Sequence, residues 1–301
     1  MLRKMRSTRL LLAGLAIAAL AGCGLTGGSQ ASSGKVEVVA AENFWGSIAS
    51  QLGGDKADVT SIISNPNTDP HSYEATPNDA RLIATARYVI VNGAGYDPWA
   101  PKLAAANPVS GRVLLDIGVL NGVQDGGNPH MWYSPSFVTR VIDKMTSDLK
   151  QLDSADSAYF DQQNAAYKTT GLKAYRDTIA AIKQKYSGTP VGASESIFAY
   201  MSPALGLNLI TPPEYMKAIS EGTDPTASDK ATVDQQVAGK QIKVFVFNAQ
   251  NSTPDVQSLV DKAHAEGIPV VQITETLSPA SLTFQDWQAK QLQALLAALG
   301  G

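Results

Sequence analysis

Four side chains in this sequence have the types and positions that suit a bound metal ion. His71 and His130, two of the three histidines, each follow a proline, which restricts the backbone where the imidazole must be aimed. Glu195 and Glu275 each follow an apolar run that predicts a strand. Two imidazoles and two carboxylates would neutralise a divalent cation, and nitrogen with oxygen ligands suits Mn, Fe or Zn better than Cu(I).

Each of these residues, taken alone, has a simpler interpretation. A single histidine is more often a turn or surface residue than a metal ligand, and a glutamate after a strand is usually solvated or caps a helix. Their shared placement after predicted strands is what favours a common site. The third histidine, His264, lies among charged residues on a predicted helix, so we expect it to be exposed and to have no role in the site.

The elements that must position these residues fall into two similar halves. Short apolar runs alternate with helical patterns over residues 35–134 and again over 187–301, with four predicted strands in each half. Strands that alternate with helices indicate parallel βα units. We therefore expect an α/β fold with two βα lobes, each containing a mostly parallel four-stranded sheet.

A long helical pattern over residues 135–186 separates the two lobes. It runs from Pro135 to Leu152 and from Ala155 to Tyr186, with Gly171 as the one strong helix breaker in the second stretch. A helix of about 30 residues spans roughly 45 Å, which is more than one small lobe needs. The pattern thus predicts a long rigid connecting helix, which should permit only small lobe shifts.

The predicted lobes would form a cleft between them. Ligands of open parallel sheets bind beyond the carboxyl ends of the strands. All four candidate residues follow strands, and each lobe contributes two of them, so they could converge on this cleft.

The first 22 residues have the composition of an export leader. Residues 1–9 contain four basic side chains and no acidic one, and Leu10 to Leu20 is apolar. This apolar stretch is too short for a transmembrane helix. We predict a lipoprotein signal peptide over residues 1–22.

The single cysteine, Cys23, directly follows this leader. The segment Leu20-Ala21-Gly22-Cys23 resembles a bacterial lipoprotein cleavage site, so we predict that Cys23 carries the lipid. Residues 23–34 would then form a lipidated, flexible Gly/Ser-rich tether. The alternative is a plain signal peptide cut near Ala21, which would leave Cys23 as a free thiol.

Removal of the leader makes the chain distinctly acidic. The leader takes four of the 24 basic residues and none of the 27 acidic ones, which leaves a net charge of −7. An acidic chain without basic clusters argues against a nucleic-acid partner. With Cys23 used for lipid, no disulfide can form, so the fold must rest on its core. We also expect the protein to be a monomer.

Four segments around the candidate residues are similar to the ligand motifs of one protein family. They are residues 69–79, 127–132, 194–200 and 270–277. The family consists of the metal-binding solute-binding proteins of zinc and manganese ABC transporters, often lipoproteins. The resemblance implies an extracytoplasmic protein, anchored to the cell membrane, that binds one divalent metal ion and delivers it to an ABC permease. It also implies that the metal ligands are His71, His130, Glu195 and Glu275.

Two features of the resemblance favour manganese. Glu195 stands where zinc-type members usually have a histidine and manganese-type members have a glutamate. No histidine occurs between Ser72 and Pro129, where many zinc-type members carry a His-rich loop. Zinc and iron stay open, because zinc also accepts two nitrogens and two oxygens. The chain departs from the family at Ser134, where an aspartate is common, and we expect this serine to cap the following helix.

Two other classes of function stay open at this point. Glu195 and Glu275 could be the carboxylate pair of a glycosidase, or two histidines and a glutamate could hold a catalytic zinc. Neither a His-Glu-x-x-His run nor a Gly-x-Ser-x-Gly elbow is present, and we expect no enzyme. An adhesin or organic-solute binder would instead line its cleft with tryptophans, which we expect to pack in the core. They are Trp45, Trp99, Trp132 and Trp287.

Overall fold

The computed structural model describes residues 34–68 and 70–301, without the side chain of His71. The signal peptide predicted over residues 1–22 and the lipidation predicted at Cys23 concern residues outside this part, as does nearly all of the predicted tether. Within the described ranges, no helix has both the length and the apolar character needed to cross a bilayer.

The described residues form eight strands in two sheets. The strands are β1 (Val36–Glu42), β2 (Ala57–Ile63), β3 (Tyr88–Val91), β4 (Val113–Asp116), β5 (Pro190–Ala193), β6 (Asn208–Leu209), β7 (Phe245–Asn248) and β8 (Val270–Ile273). The first sheet has the order β2-β1-β3-β4 and the second β6-β5-β7-β8, and all paired strands are parallel. In each sheet the strand order therefore changes direction once, between β1 and β3 and between β5 and β7.

Helices connect the strands and cover the sheets. Those in the described residues are α1 (Asn43–Gly53), α2 (Pro77–Thr85), α3 (Trp99–Ala106), α4 (Ile117–Asn121), α5 (Pro135–Leu152), α6 (Ser157–Ala166), α7 (Lys173–Tyr186), α8 (Met201–Ala204), α9 (Pro213–Ser220), α10 (Ala227–Ala238), α11 (Pro254–Ala265) and α12 (Phe284–Leu299). The two-lobed α/β fold predicted from the sequence is thereby confirmed.

Local sequence signals fix the starts of two helices near the candidate site. Thr76 caps α2 by accepting a hydrogen bond from the Asp79 backbone amide, and the Asp79 side chain accepts one from the Thr76 amide in return. Ser134 caps α5 in the same way by accepting from the Phe137 amide. The Ser134 cap agrees with the sequence prediction.

The connecting segment is a hairpin of two helical arms. The first arm is α5, and the second runs through α6 and α7. The Lys150 ammonium group contacts Asp161 at 2.7 Å, and the Asn164 amide donates to the Thr146 hydroxyl at 2.8 Å. Residue 150 of the first arm thus faces residue 161 of the second, and residue 146 faces residue 164. Since the numbers fall along one arm as they rise along the other, the arms are antiparallel.

A π-helical turn over Tyr167–Gly171 joins α6 to α7. A Cβ atom at Gly171 would lie 2.8 Å from the Tyr167 ring, so the glycine lets this ring pack against the backbone. The sequence pattern predicts one uninterrupted helix here. The difference comes from the extra residue that the π turn accommodates.

One hydrophobic core extends through both lobes and the connecting arms. It includes Phe44 from the first lobe, Ile142 and Tyr175 from the arms, and Leu292 from the second lobe. A smaller cluster covers the other face of the first sheet. The segment boundaries at 35–134, 135–186 and 187–301 stay a prediction, because this core crosses all three segments.

Tryptophan burial agrees with the expectation of core packing for three of the four side chains. Trp45, Trp132 and Trp287 are fully buried. Trp99 is half-buried and packs against Tyr73, with 5.2 Å between the ring centroids. These positions do not favour an aromatic-lined cleft for an organic solute.

One face of α1 links the first lobe to the second. Asn43, Ser47 and Gln51 are spaced by four residues and therefore share this face. The Asn43 and Ser47 side-chain oxygens accept hydrogen bonds from the backbone amides of residues 277 and 284, at 3.2 and 2.9 Å. The amides of Gln51 and Gln285 donate to each other at 3.0 and 2.6 Å. We call Asn43, Ser47 and Gln51 the α1 polar face.

Candidate metal centre

Three of the four predicted ligand residues lie together. His130, Glu195 and Glu275 each offer one ligand atom, and these atoms are all within 4.8 Å of one another. The exposed fractions of the three side chains are 0%, 0% and 2%. His71 lies in a 3₁₀ turn after β2, and its side chain is outside the described part of the chain, so its role stays a prediction.

Asn128 sets the orientation and the tautomer of His130. The Asn128 amide nitrogen donates to the Ser196 carbonyl at 2.8 Å, so its oxygen must face the imidazole. That oxygen lies 2.7 Å from the His130 Nδ1 atom. Because an amide oxygen can only accept, Nδ1 carries a proton, and in the neutral imidazole the lone pair is then on Nε2. Nε2 is therefore the nitrogen suited to coordinate a metal.

Glu195 follows the end of β5 by two residues and is held by two asparagines. Its Oε1 atom accepts from the Asn248 amide at 2.6 Å, and its Oε2 atom accepts from the Asn251 amide at 2.7 Å. Two separate donors, one on each oxygen, fix the plane of the carboxylate. Both donors are neutral amides.

Glu275 follows the end of β8 by two residues and contacts both lobes. Its Oε1 atom accepts from the Asn248 amide at 2.8 Å, and its Oε2 atom accepts from the Tyr96 hydroxyl at 2.7 Å. Its backbone amide donates to the side-chain oxygen of Gln250 at 2.7 Å. Tyr96 comes from the first lobe, so this carboxylate is oriented from both sides.

Asn248 is the centre of this arrangement. It ends β7, which lies between β5 and β8, and its side chain is fully buried. Its two amide hydrogens are shared between the carboxylates of Glu195 and Glu275. The position coincides with the switch in strand order of the second sheet, where ligands of such sheets bind.

Aromatic rings close the site against water on the side of the first lobe. Trp132 lies 5.3 Å from the His130 ring, edge to face, and stacks on Phe44 at 3.9 Å. Burial raises the pKa of Tyr133 well above its usual range, and the charges of Glu275 and Glu195 act in the same direction. Its hydroxyl therefore stays protonated and donates to the Thr274 carbonyl at 2.8 Å.

The groups that orient the ligands were not identified from the sequence. Tyr96, Asn248 and Asn251 are common turn or strand-end residue types, and nothing in their spacing distinguishes them. The one available signal was Asn248, a polar residue at the end of a strand whose apolar run predicts burial on both faces. His264 is exposed on α11, as predicted.

The donor set matches a divalent transition metal. One imidazole nitrogen and two carboxylates come within reach of a single ion, and no sulfur atom belongs to the cluster. Such nitrogen and oxygen ligands suit Mn, Fe or Zn.

Known proteins with related sequences and folds bear on this centre. The profile of the family described as zinc-uptake complex component A, periplasmic, matches residues 38–298. The metal ABC transporter substrate-binding lipoprotein SsaB of Streptococcus sanguinis is 26% identical over 271 residues, which cover 80% of this chain and 81% of that protein. The high-affinity zinc uptake system protein ZnuA of Bacillus subtilis is 23% identical over 293 residues, or 90% of this chain and 88% of that protein.

A solved structure shares the fold. The Mn-bound periplasmic metal binding protein from Candidatus Liberibacter asiaticus superposes with a TM-score of 0.72 at 17% identity, over 87% of this chain and 98% of that one. At this identity the likeness concerns the fold alone. The family profile extends over most of the sequence, and the chain therefore belongs to the zinc-uptake complex component A family.

Proposed function

We propose that the protein captures a divalent transition metal ion outside the cytoplasmic membrane and delivers it to an ABC permease. The observation that carries this proposal is the buried convergence of His130, Glu195 and Glu275. Membership of a zinc-uptake family supports transport rather than a metal-dependent or carboxylate-pair hydrolase.

The proposed ligands are the four residues that the sequence singles out. His130 would bind through Nε2, because Asn128 holds the proton on Nδ1. Glu195 and Glu275 would supply oxygens, and His71 would supply the second nitrogen from the turn after β2. The ligands come from both lobes, so the bound ion would connect them.

Manganese is the metal we favour, with zinc and iron as the other candidates. Two carboxylates make the donor set rich in oxygen, which suits the harder ion. The relatives do not decide the question, because ZnuA of Bacillus subtilis is named for zinc while the structural neighbour was solved with manganese. The affinity order of divalent metals favours zinc over manganese at most sites of this kind, so availability in the cell would matter.

Release would depend on the protonation of the ligands. A metal ion binds the deprotonated form of each ligand, so acid competes with the ion for the same atoms. Binding near neutral pH and release on acidification are the expected behaviour. The measurement is the retained metal content after dialysis at decreasing pH.

The protein would be held at the membrane by lipid on Cys23 and would act as a monomer. SsaB, one of its relatives, is named as a lipoprotein. A Cys23→Ala variant is expected to leave the detergent phase and enter the aqueous phase in a partition experiment, because a lipid chain adds about 0.8 kcal/mol of membrane affinity per buried methylene. Equal partition of both forms would contradict lipidation.

A thermal titration tests the proposed function directly. The purified protein is stripped of metal and titrated with Mn, Fe(II) or Zn while its melting temperature is followed. A true ligand at one hundred times its dissociation constant stabilises the folded state by about 2.7 kcal/mol. His130→Ala is expected to abolish this stabilisation, and His264→Ala, at the exposed histidine, is the matched control. The absence of a response to any of the three metals would overturn the proposal.

A further inference from the structure

The switch in strand order of the first sheet contains a buried acidic pair in place of metal ligands. Glu42 ends β1, and a tight turn over residues 92–97 follows β3. At the equivalent place in the second sheet, Glu195 and Asn248 build the candidate metal centre. Glu42 and Asp97 are 0% and 1% exposed, and neither belongs to the ligand cluster.

Asp97 closes the turn over residues 92–97. Its two carboxylate oxygens accept hydrogen bonds from the backbone amides of Asn92, at 2.6 Å, and Gly93, at 2.8 Å. The Tyr96 amide donates to the Gly93 carbonyl at 3.0 Å, which completes the turn. The carboxylate therefore joins the two ends of a six-residue segment.

The backbone of this turn is strained. Gly93, Ala94 and Gly95 have φ values of 70°, 55° and 79°, the left-handed region that disfavours residues with a Cβ atom. Gly93 is also required sterically, since a Cβ atom there would lie 2.2 Å from a carboxylate oxygen of Asp116. Ala94 has a Cβ atom and still adopts this left-handed conformation, so other contacts must hold its backbone there.

Glu42 is the other carboxyl group buried near Asp97. Burial raises the pKa of Glu42 well above its usual range, and the nearby charge of Asp97 acts in the same direction. Burial also raises the pKa of Asp97, to about 6, against the effect of its backbone hydrogen bonds and of Glu42. Neutral pH lies above the pKa of about 6 of Asp97, so this carboxylate is mostly ionised there and both of its oxygens can accept from the backbone.

The turn extends from this pair to the candidate metal centre. At its start, the Asn92 side chain accepts from the Trp45 indole at 2.9 Å and donates to the Pro129 carbonyl, next to His130, at 3.0 Å. Near its end, the Tyr96 hydroxyl donates to Glu275 at 2.7 Å. The start of the turn is thus anchored independently, whereas the direction of Tyr96 depends on how the turn closes.

We propose that Asp97 is a positioning residue for metal capture: it holds the strained turn closed and thereby directs the Tyr96 hydroxyl onto Glu275. The inference rests on the proposed function. Asp97 does not touch the ion in this proposal and acts through Tyr96.

Two near-isosteric variants test this proposal. Asp97→Asn replaces one acceptor oxygen by a donor, which opposes the backbone amide that it faces. Asp177→Asn makes the same substitution at an aspartate that is 61% exposed, so it is the matched control. We expect Asp97→Asn to weaken Mn binding in a chelator competition about 10- to 100-fold, the usual range for residues that orient metal ligands. Asp177→Asn is expected to bind Mn like wild type.

A double-mutant cycle separates positioning from a general loss of structure. If Asp97 acts through Tyr96, Asp97→Asn weakens Mn binding in the wild-type background but adds little in a Tyr96→Phe background. Ala94→Gly removes the strain of the turn, so it is expected to recover part of the affinity lost in Asp97→Asn.

The outcomes distinguish this inference from the proposed function. Wild-type protein that binds none of Mn, Fe(II) and Zn would contradict metal capture itself. Wild-type protein that binds Mn, with Asp97→Asn binding equally well, would contradict the positioning role alone. A loss of Mn affinity from Asp97→Asn that is equal in the wild-type and Tyr96→Phe backgrounds would also overturn the positioning role.

Discussion

At the scale of single residues, the candidate metal centre depends on neutral side chains as much as on charged ones. Asn248 donates to both carboxylates, and Asn251 and Tyr96 each donate to one. These donors limit the rotation of the glutamates before an ion arrives. A site ordered in this way loses less conformational entropy on binding.

Replacement of Asn248 should reduce metal affinity more than replacement of Asn251. Asn248→Ala removes donors from both glutamates at a fully buried position, while Asn251→Ala removes a donor from Glu195 alone. We expect a loss of about 10- to 100-fold for Asn248→Ala and a smaller loss for Asn251→Ala. Competition with a fluorescent chelator measures both, and an equal or reversed order would count against the shared role of Asn248.

The buried Asp97 carboxyl should also make the free energy of unfolding depend on pH. The pKa of Asp97 is about 6 when folded, above its ordinary 3.8. Between pH 3.8 and about 6, the Asp97 carboxyl therefore holds a proton in the folded state that it lacks in the unfolded state. This contribution to stability is fully present below pH 3.8 and is lost as the pH rises through 6. It amounts to on the order of 3 kcal/mol.

Urea unfolding of wild type and Asp97→Asn between pH 4 and 7.5 tests this dependence. The unfolding free energy of wild type is expected to decrease relative to the variant as the pH rises through this range. Asp177→Asn, at an aspartate that is 61% exposed, is the surface control. Parallel curves for wild type and Asp97→Asn would show that Asp97 does not contribute.

Sequence could predict the charged or metal-ligating residues of the site but not the residues that orient them. His130, Glu195 and Glu275 are conspicuous because few residue types bind metals and all three follow strands. Asn248 and Tyr96 are conspicuous only in three dimensions, since their partners lie 27 and 179 residues away along the chain. Their role arises from the arrangement of the strand ends, which no local pattern specifies.

At the scale of elements, the loop of His130 is attached directly to the start of α5. Ser134 follows the histidine by four residues and caps this helix. Ser134→Ala is expected to reduce the free energy of unfolding by about 0.5 to 2 kcal/mol. Ser134→Asp keeps a capping oxygen and is expected to remain within about 0.5 kcal/mol of wild type. Urea unfolding at neutral pH measures both, and similar losses in the two variants would exclude capping as the cause.

Elements with strong periodicity or clear caps were predictable, and short ones were not. α2 begins with Thr76 and Pro77 as its sequence indicates. α4 has only five residues and contains a glycine, and α9 has only eight residues, so neither shows a helical pattern of useful length. β6 is shorter than its apolar run, because only two of its residues pair with β5.

At the scale of the whole molecule, the two-lobed α/β plan followed from the alternation of strands and helices. The continuous core did not, because contacts between distant segments are not visible in local patterns. This core joins both lobes with the connecting arms. It opposes a wide hinge movement, since opening would expose apolar surface at about 25 cal/mol per Å².

Metal binding should therefore change the overall dimensions very little. Small-angle scattering of the metal-stripped and Mn-loaded protein is expected to give the same radius of gyration within the uncertainty of the measurement. Local changes are expected instead in the loops around residues 92–97 and 248–251, and hydrogen exchange would detect them. A clear decrease in the radius of gyration on metal binding would contradict a fixed spacing of the lobes.

The α1 polar face adds a consequence for the transport cycle. Its links are made by hydroxyl, amide and peptide groups, none of which gains or loses a proton near neutral pH. Ionic strength also has little effect on such neutral contacts. Acid or salt that weakens the hold on the ion would thus leave the separation of the lobes unchanged. A permease would then have to distinguish cargo-loaded from empty carrier by the loops at the mouth of the site, because the outline of the molecule would be the same in both.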